Sequence, residues 1–334
     1  MTDVLTQLHL PFALSFDFLT ATGFWTGVGV LAGIYTIFTL GLQLNVGFTG
    51  IVNFGQAGFM AIGAYAMAIL TVKTGWSFWI AMPAAIAITV AIGILVGLPS
   101  LRLRADYFAI ATIAFAEIVR LTAQNARGLT EGNEGLFCQG SRCFDDSWRS
   151  LSDTITGWLR DLGWSNPEAL VPLLIVTWLV ALLLTAAMWF AQRTPWGRVL
   201  RAIREDEDAA RALGKNTLAY KLQSLGIAAA LGAVSGFLLA LDLATVHPTD
   251  FLPIVTFVGY AVLVLGGLAN YWGVALGAIL MWVILEGTRF IDLPISDTQV
   301  ASVRFIIVGL ALILLMAFRP QGLFGKREEM VLGE

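Results

Sequence analysis

Apolar residues run along this chain in blocks long enough to cross a lipid bilayer, separated by shorter polar interruptions. A helix needs about 20 residues to span the hydrocarbon layer. Blocks near that length fall at 24–45, 51–70, 78–98, 107–123, 169–191, 218–240, 251–268, 272–290 and 300–317. The pattern predicts an all-α polytopic membrane protein with about nine crossings, within a range of eight to ten. Two places break it. Asn53 and Gln56 in 51–58, and Pro253 in 251–253, stand where a lipid-facing helix would carry none of them. Non-helical backbone at that depth is tolerated only under cover of protein or a water-filled cavity, so short, broken or re-entrant helices are expected there.

The polar stretches divide the rest. Residues 1–23 form an N-terminal segment without a basic region leading into an apolar run, so no cleaved signal is read. Pro11–Thr22 suits an interfacial helix or part of an extra span. A single transmembrane domain would occupy 24–325, followed by a tail at 326–334. Its two main loops are 124–168 and 193–217. Lys and Arg favour the cytoplasmic side. With 193–221 placed inside, twelve basic residues fall inside and five outside, which also makes the C-terminus cytoplasmic and the N-terminus external. The outer loop 124–168, rich in Gly, Asn, Asp, Ser and Trp, predicts a folded cap or Ω-like loop. It holds both cysteines, Cys138 and Cys143. Gly140 and Ser141 between them permit a short disulfide ring in an oxidising compartment, and two free thiols are equally compatible.

Composition agrees with a membrane protein and narrows its chemistry. Of 334 residues, 57% are hydrophobic and 13% charged, and the net charge is −3. Mean hydropathy is +0.79. Nothing resembles a basic nucleic-acid-binding module. His9 and His247 are the only histidines, so neither a metal cluster nor a nucleophile–His–acid set is available. His247 reads as a loop residue beside Asp242 and Asp250. No phosphate-binding G-x-x-x-x-G-K-[ST] loop occurs, and no cofactor is implied. Any ATP would have to be hydrolysed by a partner.

Small residues recur four apart at Gly23/Gly27, Gly29/Gly33, Gly93/Gly97, Gly232/Gly236 and Gly273/Gly277. Such spacing lets helix backbones approach closely in lipid, and close bundle packing is the simplest use of it. Glu117–Arg120 and Glu286–Arg289 are i, i+3 acid–base pairs near span ends. They fit a parallel internal repeat or simple pairing of intramembrane charges.

The loop 193–217 carries Arg193, Arg198, Arg201, Arg204, Arg211 and Lys215, with acids at 205–208. Thr194-Pro195 is a helix start, with Thr as a possible cap. A second short helix is expected from about Asp206, ended by Gly214. Asp208-Ala209-Ala210-x-x-x-Gly214 resembles the EAA-x-x-x-G loop of ABC importer permeases, with Asp in place of the usual Glu and the downstream I-x-L-P missing. An ordinary basic loop with a surface helix would look similar.

Three further stretches carry the resemblance. Gly50 to Phe59, Leu101 to Thr112, and Val264–Leu268 with the ending Phe318–Gly325 are similar to signatures of branched-chain (hydrophobic, neutral) amino-acid ABC permeases, LivM-type subunits in particular. Gln56 stands where that signature usually has His. The resemblance implies a type II ABC-importer-like fold in a bacterial inner membrane. It also implies a second, LivH-like permease subunit, two cytoplasmic ATPases and a periplasmic solute-binding protein. Arg204, Asp208, Ala209, Ala210, Arg211 and Gly214 would couple to the ATPase. Asn53, Gln56 and Gly58, neutral polar side chains among small residues, suit a pathway wall for a zwitterion or hydrogen bonds that hold the bundle. A urea or short-amide permease of the same family is the alternative substrate reading. An ion-coupled secondary transporter is the alternative class, although Asp106, Glu117, Asp242 and Glu286 all fall near span ends.

Overall fold

The computed structural model describes residues 22–137, 146–164 and 167–287, together with positions 306, 309, 310, 313 and 323. Cys138, Cys143, Arg289 and nearly all of the 300–317 block lie outside the described residues.

Between residues 22 and 287 the described residues form twelve α-helices in order: α1 Thr22–Leu42, α2 Gln56–Val72, α3 Phe78–Ser100, α4 Ala105–Asn125, α5 Arg127–Thr130, α6 Asp146–Asp161, α7 Val171–Ala191, α8 Pro195–Glu205, α9 Glu207–Ala212, α10 Thr217–Leu243, α11 Pro253–Gly266 and α12 Tyr271–Gly287. A π-helical turn, Gln43–Phe48, extends α1. Only four helices among the described residues are long and apolar enough to cross a membrane: Thr22–Phe48, Phe78–Ser100, Val171–Ala191 and Thr217–Leu243. α11 and α12 pass the same test only as a pair bent by 116°. Among the described residues, length and apolarity alone thus single out four or five spans, and α2 and α4 pack within the same bundle. α2 is short at 17 residues because the chain before it, at 50–55, is not helical. α4 carries Asp106, Glu117 and Arg120, which lower its apolarity.

α1 and α10 form the buried centre, while α3 and α7 show most of their surface outward. Glycines let α2 lie against α10: a Cβ on Gly63 would overlap Ala233, and one on Gly236 would strike the Met60 carbonyl. Gly29 and Gly33 receive α7, Gly93 and Gly97 face α10, and Gly273 and Gly277 meet α11. Four of the five glycine pairs thus serve packing within the chain. Gly27 is different, with nothing within 4 Å of an added Cβ.

One end of the bundle is closed by residues 126–137 and 146–164. An antiparallel bridge joins Leu136 to Val246, and Lys73 pairs with Glu131 at 2.8 Å. The cap also contains α6, a 16-residue helix that packs against α3 and α7 through Trp148 and Leu151. Composition alone had suggested no such helix. Trp76, Trp79, Trp158 and Trp164 are all exposed around this end, as an aromatic belt at a bilayer surface requires. His247 sits in a loop capping box with Asp250.

Close approach of α2 and α10 sets a sharp expectation. Gly236→Val forces a branched side chain into the Met60 backbone and should cost on the order of 3 kcal/mol of packing. Gly27→Ala should change stability by less than about 0.5 kcal/mol. Thermal unfolding of the detergent-solubilised variants checks both: a clear fall in Tm is expected for the first and none for the second.

Candidate coupling surface and the broken helix beneath it

The chain leaves the π-helical turn at Thr49, runs without helical structure through 50–55 and restarts as α2 at Gln56. The restart is deep in the bundle, since Gln56 touches the middle of two long helices. Its Nε2 donates to the Ala228 carbonyl of α10 at 3.0 Å and to the Phe38 carbonyl of α1 at 3.4 Å. Several backbone groups around the break have partners. Ile51 N–H donates to Asn45 O at 2.8 Å, Phe54 N–H to Thr112 Oγ1 of α4 at 3.0 Å, and Gly55 N–H to Asn53 Oδ1 at 2.8 Å. Ala57 N–H donates to Thr256 Oγ1 of α11 at 3.1 Å, and Tyr260 Oη donates to Asn53 O at 2.9 Å. Four helices thereby satisfy one interruption.

The π-helical turn above the break is fixed as firmly. Ser224 Oγ of α10 bonds Thr49 Oγ1 at 2.8 Å and Asn45 Oδ1 at 2.9 Å. With the Gln43 amide oriented by its surroundings, so that its oxygen faces the Ala269 and Asn270 N–H groups, it accepts from both at 2.6 Å, steadying Ala269 at φ 61° in the α11–α12 turn. Phe48 stacks on Tyr271 at 4.8 Å with the planes 7° apart.

α8 rests directly on this turn. The Arg204 guanidinium donates to the Gly47 carbonyl, and that of Arg201 lies 5.4 Å from the Phe48 ring centroid. Gly50 takes φ +73°, a value that a side chain strains to adopt, and an added Cβ would sit 3.2 Å from Arg204 Cγ. Pro195 starts α8 as expected, but the Thr194 hydroxyl turns back to Ala191 O at 2.7 Å and does not cap it. Asp206 caps α9, accepting from Ala209 N–H at 2.9 Å, and Gly214 ends it at φ +79°. Glu207 then ties α9 to α10 through Lys221, and bonds Arg211 at 3.0 Å. Partial burial pushes the Glu207 carboxyl up, but the hydrogen bond and charge of Lys221, the Thr217 hydroxyl and Arg211 outweigh it and hold its pKa below the ordinary value.

The expected coupling residues separate into two groups. Arg204 and Ala210 face inward, with Ala210 only 4% exposed, so they anchor the loop. Asp208, Ala209, Arg211 and Gly214 are exposed. Beside them stands Leu213, 81% exposed, which the motif does not single out; an apolar residue ending a polar helix was its signal. Asn53 and Gln56 are fully buried, and an added Cβ on Gly58 would lie 2.9 Å from Ala116 Cα. All three hold the break from behind. Its open side shows Val52 and Phe54, with Phe257 and Tyr260 at 5.3 and 4.8 Å from the Phe54 ring. Glu117 and Arg120 do pair, at 2.5 and 2.9 Å. No group of three or more His, Cys, Asp or Glu among the described residues could hold a metal ion.

A family profile described as "Branched-chain amino acid transport system / permease component" matches residues 25–316. The chain belongs to this family of transport permeases. The permease is 34% identical to the Escherichia coli protein named "High-affinity branched-chain amino acid transport system permease protein LivM" over 94% of its own length and 73% of the relative's. A probable LivM protein of Methanocaldococcus jannaschii is 25% identical over 88% and 91% of the two chains. The E. coli protein named as permease LivH is 26% identical over 89% and 93%. No solved structure gives a significant match. The permease is thus a multi-pass membrane transport component and not an enzyme, and it belongs to a multi-subunit ABC system with another permease.

The Glu207 contacts yield a pH expectation. A carboxyl with a lowered pKa contributes stability that is present above its ordinary value of 4.5 and is lost as pH falls through the folded value. In a variant with both cysteines replaced by serine, a spin label at Leu213→Cys should stay immobile from pH 7 to pH 5 and loosen only below about 4.5. Adding Glu207→Gln should loosen it already at pH 7, whereas Asp208→Asn should not.

Proposed function

We propose that this permease is one of two membrane subunits of an ATP-driven importer of branched-chain and related neutral amino acids in a bacterial inner membrane. Two cytoplasmic ATPases would supply the energy, and a periplasmic binding protein would deliver the cargo. The names of its relatives support the substrate class. Lys and Arg support the orientation. Among the described residues, Arg102, Arg104, Arg193, Arg198, Arg201, Arg204, Arg211, Lys215 and Lys221 gather at the α8–α9 end, against Lys73, Arg127, Arg149 and Arg160 at the capped end. The C-terminus would then be cytoplasmic.

The observation that carries the mechanism is the seating of α8 on the π-helical turn through Arg204, Gly47 and Gly50. In the proposed cycle the ATPase grips the outward side of α9, at Asp208, Ala209, Leu213 and Gly214. Arg204 passes its movement to the break. The aromatic open side at Phe54, Phe257 and Tyr260 would meet the second permease across the pathway, where an apolar side chain can slide along weakly polar rings. Asn53, Gln56 and Gly58 shape that wall from within.

Leu213→Asp places a charge where an apolar anchor is needed, and Gly214→Val strains a residue at φ +79° with open space around it. Both should insert normally, yet lose the ATPase subunits on purification or lower amino-acid uptake at least tenfold. Wild-type uptake with the ATPases retained in both variants would remove the coupling assignment.

A further inference from the structure

The outward faces of α3 and α4 leave a groove that neither the coupling loop nor the break uses. It is about 1000 Å³ in volume and runs from Pro99 and Leu103 at one end to Leu129 and Thr130 at the other. Its walls are almost wholly apolar, with Ile92, Leu95, Ala114 and Ile118 among them. At the Pro99 end the chain turns sharply through 101–104, and behind this turn lies a second cavity of about 660 Å³. That cavity is basic. Arg102, Arg104, Arg204, Arg211, Lys215 and Lys221 line it against a single acid, Glu207. Glu207 is already bonded to Lys221 and Arg211. Arg102 and Arg104 are exposed and pair with no acid among the described residues. Leu103, 49% exposed, lines both spaces and so sets them side by side.

An apolar trough at membrane depth that opens onto unpaired cations at the bilayer surface has the chemistry of a phospholipid written along it. We infer that the α3–α4 groove binds an anionic phospholipid, its acyl chain against Leu95, Ala114 and Ile118 and its phosphate on Arg102 and Arg104. A transmembrane helix from another subunit would fill the trough but leave both arginines unmatched. A free phosphate would match the arginines but leave the trough empty. A lipid satisfies both ends. Because Arg204 and Lys221 line the same basic cavity, the bound headgroup lies beside the anchor of α8 and α9 and ties the loop to the membrane surface.

The proposal stands apart from the transport reading, because lipid retention is measured without uptake. The assembled complex, released from mild detergent micelles containing equimolar phosphatidylglycerol and phosphatidylethanolamine, is examined by native mass spectrometry. Two surface cations correspond to roughly a thirty-fold preference for the anionic lipid. The wild-type complex should show that preference. Arg102→Gln with Arg104→Gln should bring it close to parity while lipid is still retained, and Ala114→Trp should remove both lipids by filling the trough. A wild-type complex that retains neither lipid, as when a partner helix covers the groove, overturns the proposal. So does an unchanged preference in the arginine variant. Should the variants fail to assemble, the wild-type preference decides alone, and equal retention of the two lipids is the contrary result.

Discussion

The backbone at 49–57 is interrupted inside a membrane protein, where each unpaired amide costs several kcal/mol. The surrounding structure answers that constraint. Thr112 of α4, Thr256 and Tyr260 of α11 and the side chain of Asn53 take up the loose groups, while Gln56 clamps α2 to α1 and α10. Small residues then become obligatory around it. Gly58 admits α4, and Gly63 and Gly236 admit α2 and α10 to each other, because polar partners must come within hydrogen-bonding distance. Stability and the position of the break are thus a single problem solved once.

The same interruption explains why a small loop can matter to the whole bundle. A continuous helix at this place would carry force only along its axis. A π-helical turn followed by non-helical chain has a free end on which another element can sit, and α8 sits there through Arg204 and Arg201. Gln43 and Phe48 bind the turn to the α11–α12 connection, so a shift of α8 reaches three elements together. In the proposed transport cycle this junction converts ATPase movement into a change at the pathway wall. Energetic coupling of this kind requires a contiguous set of packed and hydrogen-bonded groups, and that set is present from Glu207 to Tyr260.

Much of this was legible in the residues, and the rest was hidden for identifiable reasons. The long apolar helices followed from block length, and the break at 51–58 from Asn53 and Gln56 in an apolar block. The Asp206 cap and the Gly214 stop followed from local helix chemistry. Block length does not reveal that α2 starts late or that α11 and α12 are short and sharply bent. α6 was missed because 124–168 was weighed by composition, although Trp148, Leu151, Ile155 and Leu159 repeat at helical spacing. Asn53 and Gln56 announce a buried polar feature, but sequence cannot tell a pathway wall from a set of internal ties, since both want neutral polar groups among small residues. Ala210 reads as part of a docking motif, and only the fold shows it turned inward. Gly50 carried no sign of its positive φ.

The central claim is that α8 and the 47–50 turn move as one body, joined by Arg204. Gly50→Cys with Arg204→Cys, in a variant with Cys138 and Cys143 replaced by serine, removes the guanidinium contact and offers a covalent substitute. The built Gly50 Cβ lies 3.5 Å from Arg204 Cβ, within disulfide reach. Uptake by vesicles carrying the whole complex would be compared with the bond reduced and oxidised. The account predicts low uptake when reduced and recovery when oxidised. Full uptake when reduced, or a block that appears only on oxidation, would contradict it.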